Sequence, residues 1–226
     1  MLARLISLSG VPATRDLSFG LLKDRKVAAA TRFASPMLKA DLRRAALARR
    51  RALTETAVVG RSAKLWQQLL REFPVRDWHW LHVFLPISQQ REPDTWALIH
   101  RVWQEQPQLQ LAVPVVQPDG HTLHHFHLTP ATQLTESRWG VPEPTEASEV
   151  QPEQLDAVLI PLLAFDEGGH RVGYGKGFYD RFLAQCRPNA LRIGVSLEPP
   201  VPRITDAWEG DARLHACLTP ERVWWF

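Results

Sequence analysis

The chain has 226 residues, is 45% hydrophobic and 23% charged, and carries a formal net charge of +3. That supplies apolar material for one or two folded domains and too little charge for a disordered chain. Its two cysteines, Cys186 and Cys217, form no Cys-x-x-Cys, which argues against a disulfide scaffold or a cysteine-built zinc site, and no apolar run approaches the length of a membrane span.

Met1 to Gly10 carries a short apolar stretch broken by Ser7, Ser9 and Gly10, too weak for a signal peptide. Residues 1–36 are expected to be a disordered, dispensable N-terminal extension, with Met37 standing directly before the first helix. Met37 to Leu53 places Leu38, Leu42, Ala45, Ala46 and Leu53 at the helical period. On that helix Lys39 and Arg43 share a face, and Arg50, about three turns on, returns to it. Thr54 reads as the N-cap of a second helix running to Glu72.

Trp78 to Leu85 reads as a strand ended by Pro86, and Glu92 to Glu105 as a helix with Pro93 in its first turn. Leu109 to Val116 is a further strand, joined through the Asp119-Gly120 turn to a hairpin partner, Thr122 to Leu128. Thr129 to Gln154, with Pro130, Pro142, Pro144 and Pro152, reads as ordered loop. A buried strand over 157–163, a glycine-rich loop, a helix over 178–186 and a strand over Leu191 to Leu197 follow. Ala216 to Leu218 and Arg222 to Trp225 are short extended pieces. Strands alternating with helices imply an α/β fold: three layers, a mostly parallel sheet with helices on both faces, Rossmann-like in plan.

The stretch 168–177 holds five of the twelve glycines. Between a buried strand and a helix start, such a loop lets backbone N–H groups surround an anion. Arg171 and Lys176 add positive charge, and Asp180 offers a carboxylate to a phosphate-bound metal. Neither standard phosphate fingerprint applies. His170 stands where a Walker A loop has its first glycine and Gly177 where it has Ser or Thr, and Phe178 replaces the third glycine of a dinucleotide-binding fingerprint. By spacing alone the loop is a phosphate site or a flexible turn. The arginine-rich helix over 43–51 also suits nucleic-acid phosphates, and an α/β sugar-phosphate enzyme also binds phosphate; the first leaves the glycine loop and Glu92 unexplained, and the second has no need of ATP. The histidines His121, His124, His125 and His127 match no standard zinc spacing, though His125 and His127 share a strand face.

The run Pro161, Phe165-Asp166, Gly169, Arg171-Val-Gly-Tyr-Gly-Lys-Gly-Phe-Tyr-Asp180 resembles the 5-formyltetrahydrofolate cyclo-ligase family, also called methenyltetrahydrofolate synthetase. Lys39-x-x-Leu-Arg43 with Arg49-Arg50-Arg51, Glu92-Pro-Asp-Thr95, Trp139-Gly-Val-Pro-Glu-Pro144, Asp211 and Leu218-Thr-Pro-Glu-Arg-Val223 follow the family's order, so that the resemblance covers about 38–226. Pro220 inside the closing signature, and Glu198-Pro-Pro-Val-Pro202 in place of a glutamine-containing stretch, depart from the family pattern.

The resemblance implies one cyclo-ligase domain over 37–226 and ATP-dependent closure of 5-formyltetrahydrofolate to 5,10-methenyltetrahydrofolate. ATP is then bound by Lys39, Ala40, Asp41, Leu42 and Arg43 and by Arg171, Val172, Gly173, Tyr174, Gly175, Lys176, Gly177, Phe178 and Tyr179. Folate is bound by Glu92, Ile87, Tyr174 and Trp139, Mg2+ by Asp180 and Asp211, and catalysis rests on Lys176 and Arg171. The implied protein is a cytoplasmic monomer whose partners are these small molecules, with no nucleic-acid or membrane partner.

Overall fold

Two apolar faces of one sheet organise the chain. The computed structural model describes residues 37–137 and 140–226; the expectations for 1–36 and for Trp139 lie outside the described residues. In chain order the elements are α1 (Lys39–Arg51), α2 (Glu55–Glu72), β1 (Trp80–His82), α3 (Trp96–Glu105), β2 (Gln110–Val116), β3 (Leu123–Leu128), β4 (Leu134–Glu136), β5 (Pro142–Pro144), β6 (Ala157–Pro161), β7 (Ala164–Phe165), β8 (Arg171–Val172), α4 (Phe178–Leu183), β9 (Leu191–Val195), β10 (Ala216–Leu218) and β11 (Val223–Trp225).

Seven strands form the main sheet in the order β11-β10-β9-β6-β1-β2-β3. The inner pairs are parallel, and only the edge pairs β2–β3 and β10–β11 are antiparallel. Strand alternation sends Leu81, Leu111, Ala157, Leu159 and Ile193 to one face, where they pack with Leu65 and Leu69 of α2 and Leu98 and Ile99 of α3. Ala112, Val158, Ile160 and Cys217 point to the other face and pack with Phe182 and Leu183 of α4. Each fully buried aliphatic side chain there contributes about 1.5–3 kcal/mol.

Thr54 caps α2 as its sequence suggests, its Oγ1 accepting the Ala57 N–H at 3.2 Å. The start of α1 has no side-chain cap of its own; the Lys39 N–H instead donates to Asp206 Oδ1, 2.8 Å away.

Four elements differ from the sequence reading. The helix expected from Glu92 begins at Trp96, because tertiary contacts hold the residues before it: the Asp94 N–H donates to Ser62 Oγ at 2.9 Å, Asp94 O accepts Trp66 Nε1 at 2.7 Å, and the Thr95 hydroxyl donates to Phe84 O at 2.6 Å. The strand expected over 78–85 pairs regularly only at Trp80–His82, and the buried segment Val83 to Leu85 leads out of the sheet toward the site. Residues 129–154 contain the β4–β5 hairpin, with Pro142 and Pro144 at the ends of a three-residue strand that pairs on one side. Helix α4 stops at Leu183, where a Gln185 N–H to Phe182 O bond tightens the last turn ahead of Pro188.

Candidate functional site

The site grows from the carboxyl end of β6. Just beyond it, β7 and β8 pair antiparallel as a short hairpin. Asp166, 1% exposed, pins its turn: Oδ1 accepts the Gly168 and His170 N–H groups at 3.0 and 2.9 Å, and Oδ2 accepts that of Ile204 at 2.9 Å. The glycine loop leaves this anchored hairpin and runs into α4. Gly175 (φ +88°) and Gly177 (φ +69°) adopt left-handed backbone, and a Cβ on Gly175 would lie 3.2 Å from Arg43 Nη2. Glycine is therefore favoured at both positions by conformation, and a Cβ on Gly177 would also meet Arg181 Nη1 at 2.7 Å.

Helix α1 supplies the opposite wall. Arg43 Nε donates to Gly173 O at 2.9 Å, Lys39 Nζ pairs with Asp211, and Arg50 donates from Nε to Gln90 O at 2.7 Å and from Nη2 to the Tyr174 hydroxyl. Only part of the run 39–43 faces the loop. Leu42 is buried against Ala164, Val172 and Ile204, whereas Ala40 and Asp41 are exposed on the outer side, with Asp41 paired to Arg44.

Glu92 sits behind the loop, 5% exposed. Its Oε2 accepts the Ile87 N–H at 2.9 Å, its Oε1 accepts the Tyr174 hydroxyl at 2.6 Å, and Arg50 Nη2 lies 3.8 Å from Oε1. Burial pushes the Glu92 carboxyl above its ordinary range, outweighing Arg50 and the two hydrogen bonds. Burial and then the Glu92 charge push the Tyr174 phenol up, so that Tyr174 remains a donor. Arg50, Tyr174 and Glu92 form one hydrogen-bonded chain from α1 through the loop. Beside it, between Arg50, Pro93, Leu163 and Ser196, lies a cavity of about 20 Å3.

The two expected metal carboxylates stand beside one another. Asp180 Oδ1 accepts from Arg171 Nη2 at 2.6 Å and from the Ala212 N–H at 3.2 Å, and Arg171 Nη1 also donates to Ala212 O. Asp211, next in sequence to Ala212, takes Lys39 and the Trp208 N–H, the latter at 3.0 Å. Burial raises the Asp211 pKa, but Lys39, the Trp208 N–H and Arg171 together bring it below the ordinary value of 3.8. Asp180 Oδ2 has no hydrogen bond among the described residues, and no group of three or more metal-ligating His, Cys, Asp or Glu side chains occurs among them. One or two carboxylates with an open oxygen suit magnesium that shares its shell with phosphates and water.

Lys176 is exposed at the loop tip, and its carbonyl accepts Arg181 Nη2 at 3.0 Å. The Arg181 guanidinium lies 5.7 Å from the Phe178 ring centroid. The Tyr179 hydroxyl is buried without a hydrogen-bond partner, and its phenol is pushed well up, first by burial.

Sequence reasoning missed the chain through Tyr174, the Arg171–Asp180 pair and the pinning of the loop by Asp166. Only the last had a local signal, the Asp-x-Gly of an Asx-turn. It also missed a buried histidine pair under α4: His125 Nδ1 lies 3.1 Å from His82 Nε2, and His82 Nδ1 has no partner.

The chain matches the model of the 5-formyltetrahydrofolate cyclo-ligase family over residues 37–197. It is 32% identical over 180 residues to 5-formyltetrahydrofolate cyclo-ligase of Escherichia coli (strain K12), covering 78% of this chain and 97% of that relative. The NMR structure of Aquifex aeolicus 5,10-methenyltetrahydrofolate synthetase is similar with a TM-score of 0.67 at 31% identity, over 84% of this chain and 93% of that one. The 5,10-methenyltetrahydrofolate synthetase of Mycoplasma pneumoniae shares the fold, with a TM-score of 0.63 at 23% identity over 81% and 99% of the two chains. The match over most of the chain, together with this site at the carboxyl end of a mostly parallel sheet, places the protein: the chain belongs to the 5-formyltetrahydrofolate cyclo-ligase family.

Proposed function

We propose that this chain closes 5-formyltetrahydrofolate to 5,10-methenyltetrahydrofolate with ATP as co-substrate, and that residues 171–180, the inner face of α1 and Glu92 form its site. The family supports the reaction. The observation that carries the residue assignment is the Arg50–Tyr174–Glu92 chain, which ties a phosphate-type loop to a buried carboxylate.

The formyl oxygen takes the γ-phosphoryl group, which makes that oxygen a good leaving group. N10 then attacks the activated carbon, the C–O bond breaks, and phosphate departs with that oxygen. Phosphoryl transfer of this kind needs positioning and charge compensation more than covalent help. Lys176, exposed at the loop tip, and Arg171 compensate charge on the phosphate oxygens, while the backbone from Gly173 to Gly177 receives them. Lys39 and Arg43 approach from α1. Asp180, whose Oδ2 is open among the described residues, and Asp211 would hold magnesium, which would neutralise charge on the triphosphate.

Glu92 recognises the polar edge of the pterin, since a carboxylate accepts paired N–H bonds. Both Glu92 oxygens already accept protein hydrogen bonds, Oε1 from Tyr174 and Oε2 from the Ile87 N–H. Tyr174 therefore leaves Glu92 when folate enters, and its ring becomes a packing surface beside the Ile87 segment. We take the working unit to be a cytoplasmic monomer, built as a three-layer cyclo-ligase domain over 37–226.

The test is the growth of the methenyl chromophore on mixing the protein, magnesium-ATP and 5-formyltetrahydrofolate. Formation of product with release of ADP supports the proposal, and no product at any pH or divalent metal overturns it.

A further inference from the structure

At the end of α4 away from the glycine loop lies a cavity of about 280 Å3, lined by Leu183, Cys186, Arg187, Pro188, Ala190 and Arg192. It sits at the amino ends of β6 and β9, whereas the glycine loop follows the carboxyl end of β6. Arg187 closes one side, donating from Nε to Leu155 O at 3.0 Å and pairing with Asp156 just ahead of β6. Arg192 is the second residue of β9, and among the described residues it pairs with no carboxylate.

The contacts of Arg192 contain a conflict. Its backbone N–H donates to His215 Nδ1 at 3.1 Å, and its Nη2 lies 2.8 Å from His215 Nε2. A neutral imidazole has one acceptor nitrogen, and a guanidinium has none. If Nδ1 accepts the backbone N–H, Nε2 carries the proton and meets the Nη2 donor head-on. If Nε2 accepts from the guanidinium, Nδ1 carries the proton and meets the backbone N–H. In either tautomer two donors face one another, and protonating the ring makes this worse. The surroundings do not relieve it: Arg171 and Arg187 add positive charge, Asp180 and Asp156 are held by those two arginines, and Glu153 acts on Cys186. Burial first, and then Arg171, lower the Arg192 pKa; burial first, and then Arg192, lower that of His215.

We propose that this cavity is a second binding site, specific for a small oxyanion, a phosphate or carboxylate group, held by the Arg192 guanidinium that lines it once that guanidinium turns from the His215 ring. An anion oxygen there accepts from the guanidinium, which replaces a donor–donor contact with charge-assisted hydrogen bonds and leaves His215 Nδ1 to accept the Arg192 backbone N–H. No residue of 171–180 lines this cavity, so its binding contacts are distinct from those of ATP, with only the charge of Arg171 reaching Arg192.

The test is an NMR titration of the His215 ring nitrogens in the full chain, with inorganic phosphate and, in a second arm, acetate. A bound anion raises the His215 pKa by roughly one unit, the scale set by an opposite charge at contact distance. The rise should saturate, persist in Lys176→Ala and vanish in Arg192→Met. Phosphate acting alone identifies a phosphate site, and acetate acting alone a carboxylate site; either supports the proposal. No saturable change with either anion in the wild-type chain overturns it. So does a change that survives Arg192→Met, or one that is lost in Lys176→Ala and thus belongs to the glycine loop. Should Arg192→Met fail to fold, Arg192→Lys is the second variant: it keeps the charge but loses the fork, and unaltered affinity there also overturns the proposal.

Discussion

The Tyr174 hydroxyl donates to Glu92 Oε1 at 2.6 Å, joining the exposed glycine loop to a carboxylate that is 5% exposed. This bond puts the two halves of the proposed reaction in contact, the phosphate end and the pterin end. It also means that Glu92 is fully partnered before folate arrives, so folate binding exchanges partners and does not fill an open pocket.

Glu92→Gln tests that exchange. A hydrogen bond to a charged group is worth about 1.5–3 kcal/mol, so the folate dissociation constant should rise about 10- to 100-fold. The ATP constant should change little, because Glu92 touches no phosphate-loop residue except Tyr174. Calorimetric titration of each ligand separates the two, and equal losses would contradict the assignment.

The same substitution alters pH dependence. The folded-state pKa of Glu92 is raised, so the folded protein retains a proton that the unfolded chain releases above the ordinary value of 4.5. Its contribution is then largest at low pH and declines as pH rises from about 4.5 through the raised folded value. In urea unfolding, the stability of wild type relative to Glu92→Gln should decline as pH rises from about 4.5, the histidine contribution cancelling in the difference.

Lys176→Ala and Asp180→Asn should both lower turnover by roughly 100-fold or more, the scale of losing one charge-stabilising group. They differ in stability. Lys176 is exposed, and its removal should shift stability by no more than about 0.5 kcal/mol. Asp180→Asn leaves Arg171, whose side chain is 6% exposed, without its counter-charge; the asparagine oxygen can still accept its N–H, so the fold survives with a measurable loss. Near-normal rates in both variants would remove these residues from the reaction.

The buried His82–His125 pair should make the protein acid-sensitive. Burial and then the neighbouring histidine hold His82 well below 6.5, and burial and then His124 bring His125 down to about 4. Below pH 6.5 the unfolded chain takes protons that the folded one refuses, so stability falls as pH falls from 6.5 toward 4. At pH 5 the His125 contribution to that loss is on the order of 2 kcal/mol. Replacing both residues with leucine should flatten the profile between pH 5 and 7 in urea titrations, and an unchanged slope would exclude the pair as its source.

Regular elements with strong local periods were legible. The 39–43–50 spacing put Lys39, Arg43 and Arg50 on one face of α1, and all three reach across to the loop or its neighbours. Thr54 marked the start of α2. The start of α3 was not legible, because Asp94 is held by Ser62 and Trp66, about 30 positions away, and Pro93 as a helix opener carries no trace of them. The β4–β5 hairpin was hidden because prolines dominate its composition.

By itself the sequence determined the glycine spacing, the charged face of α1 and the family, because each is carried by short-range order along the chain. Only the tertiary structure decided which groups meet. Tyr174 and Glu92 stand 82 positions apart, His82 and His125 43 apart, and Lys39 and Asp211 172 apart. Such pairs form when a parallel sheet and its crossover helices bring distant segments to one edge, and no local period encodes that meeting. The same folding that aims Arg43 at the glycine loop leaves Arg192 facing a histidine instead of a carboxylate.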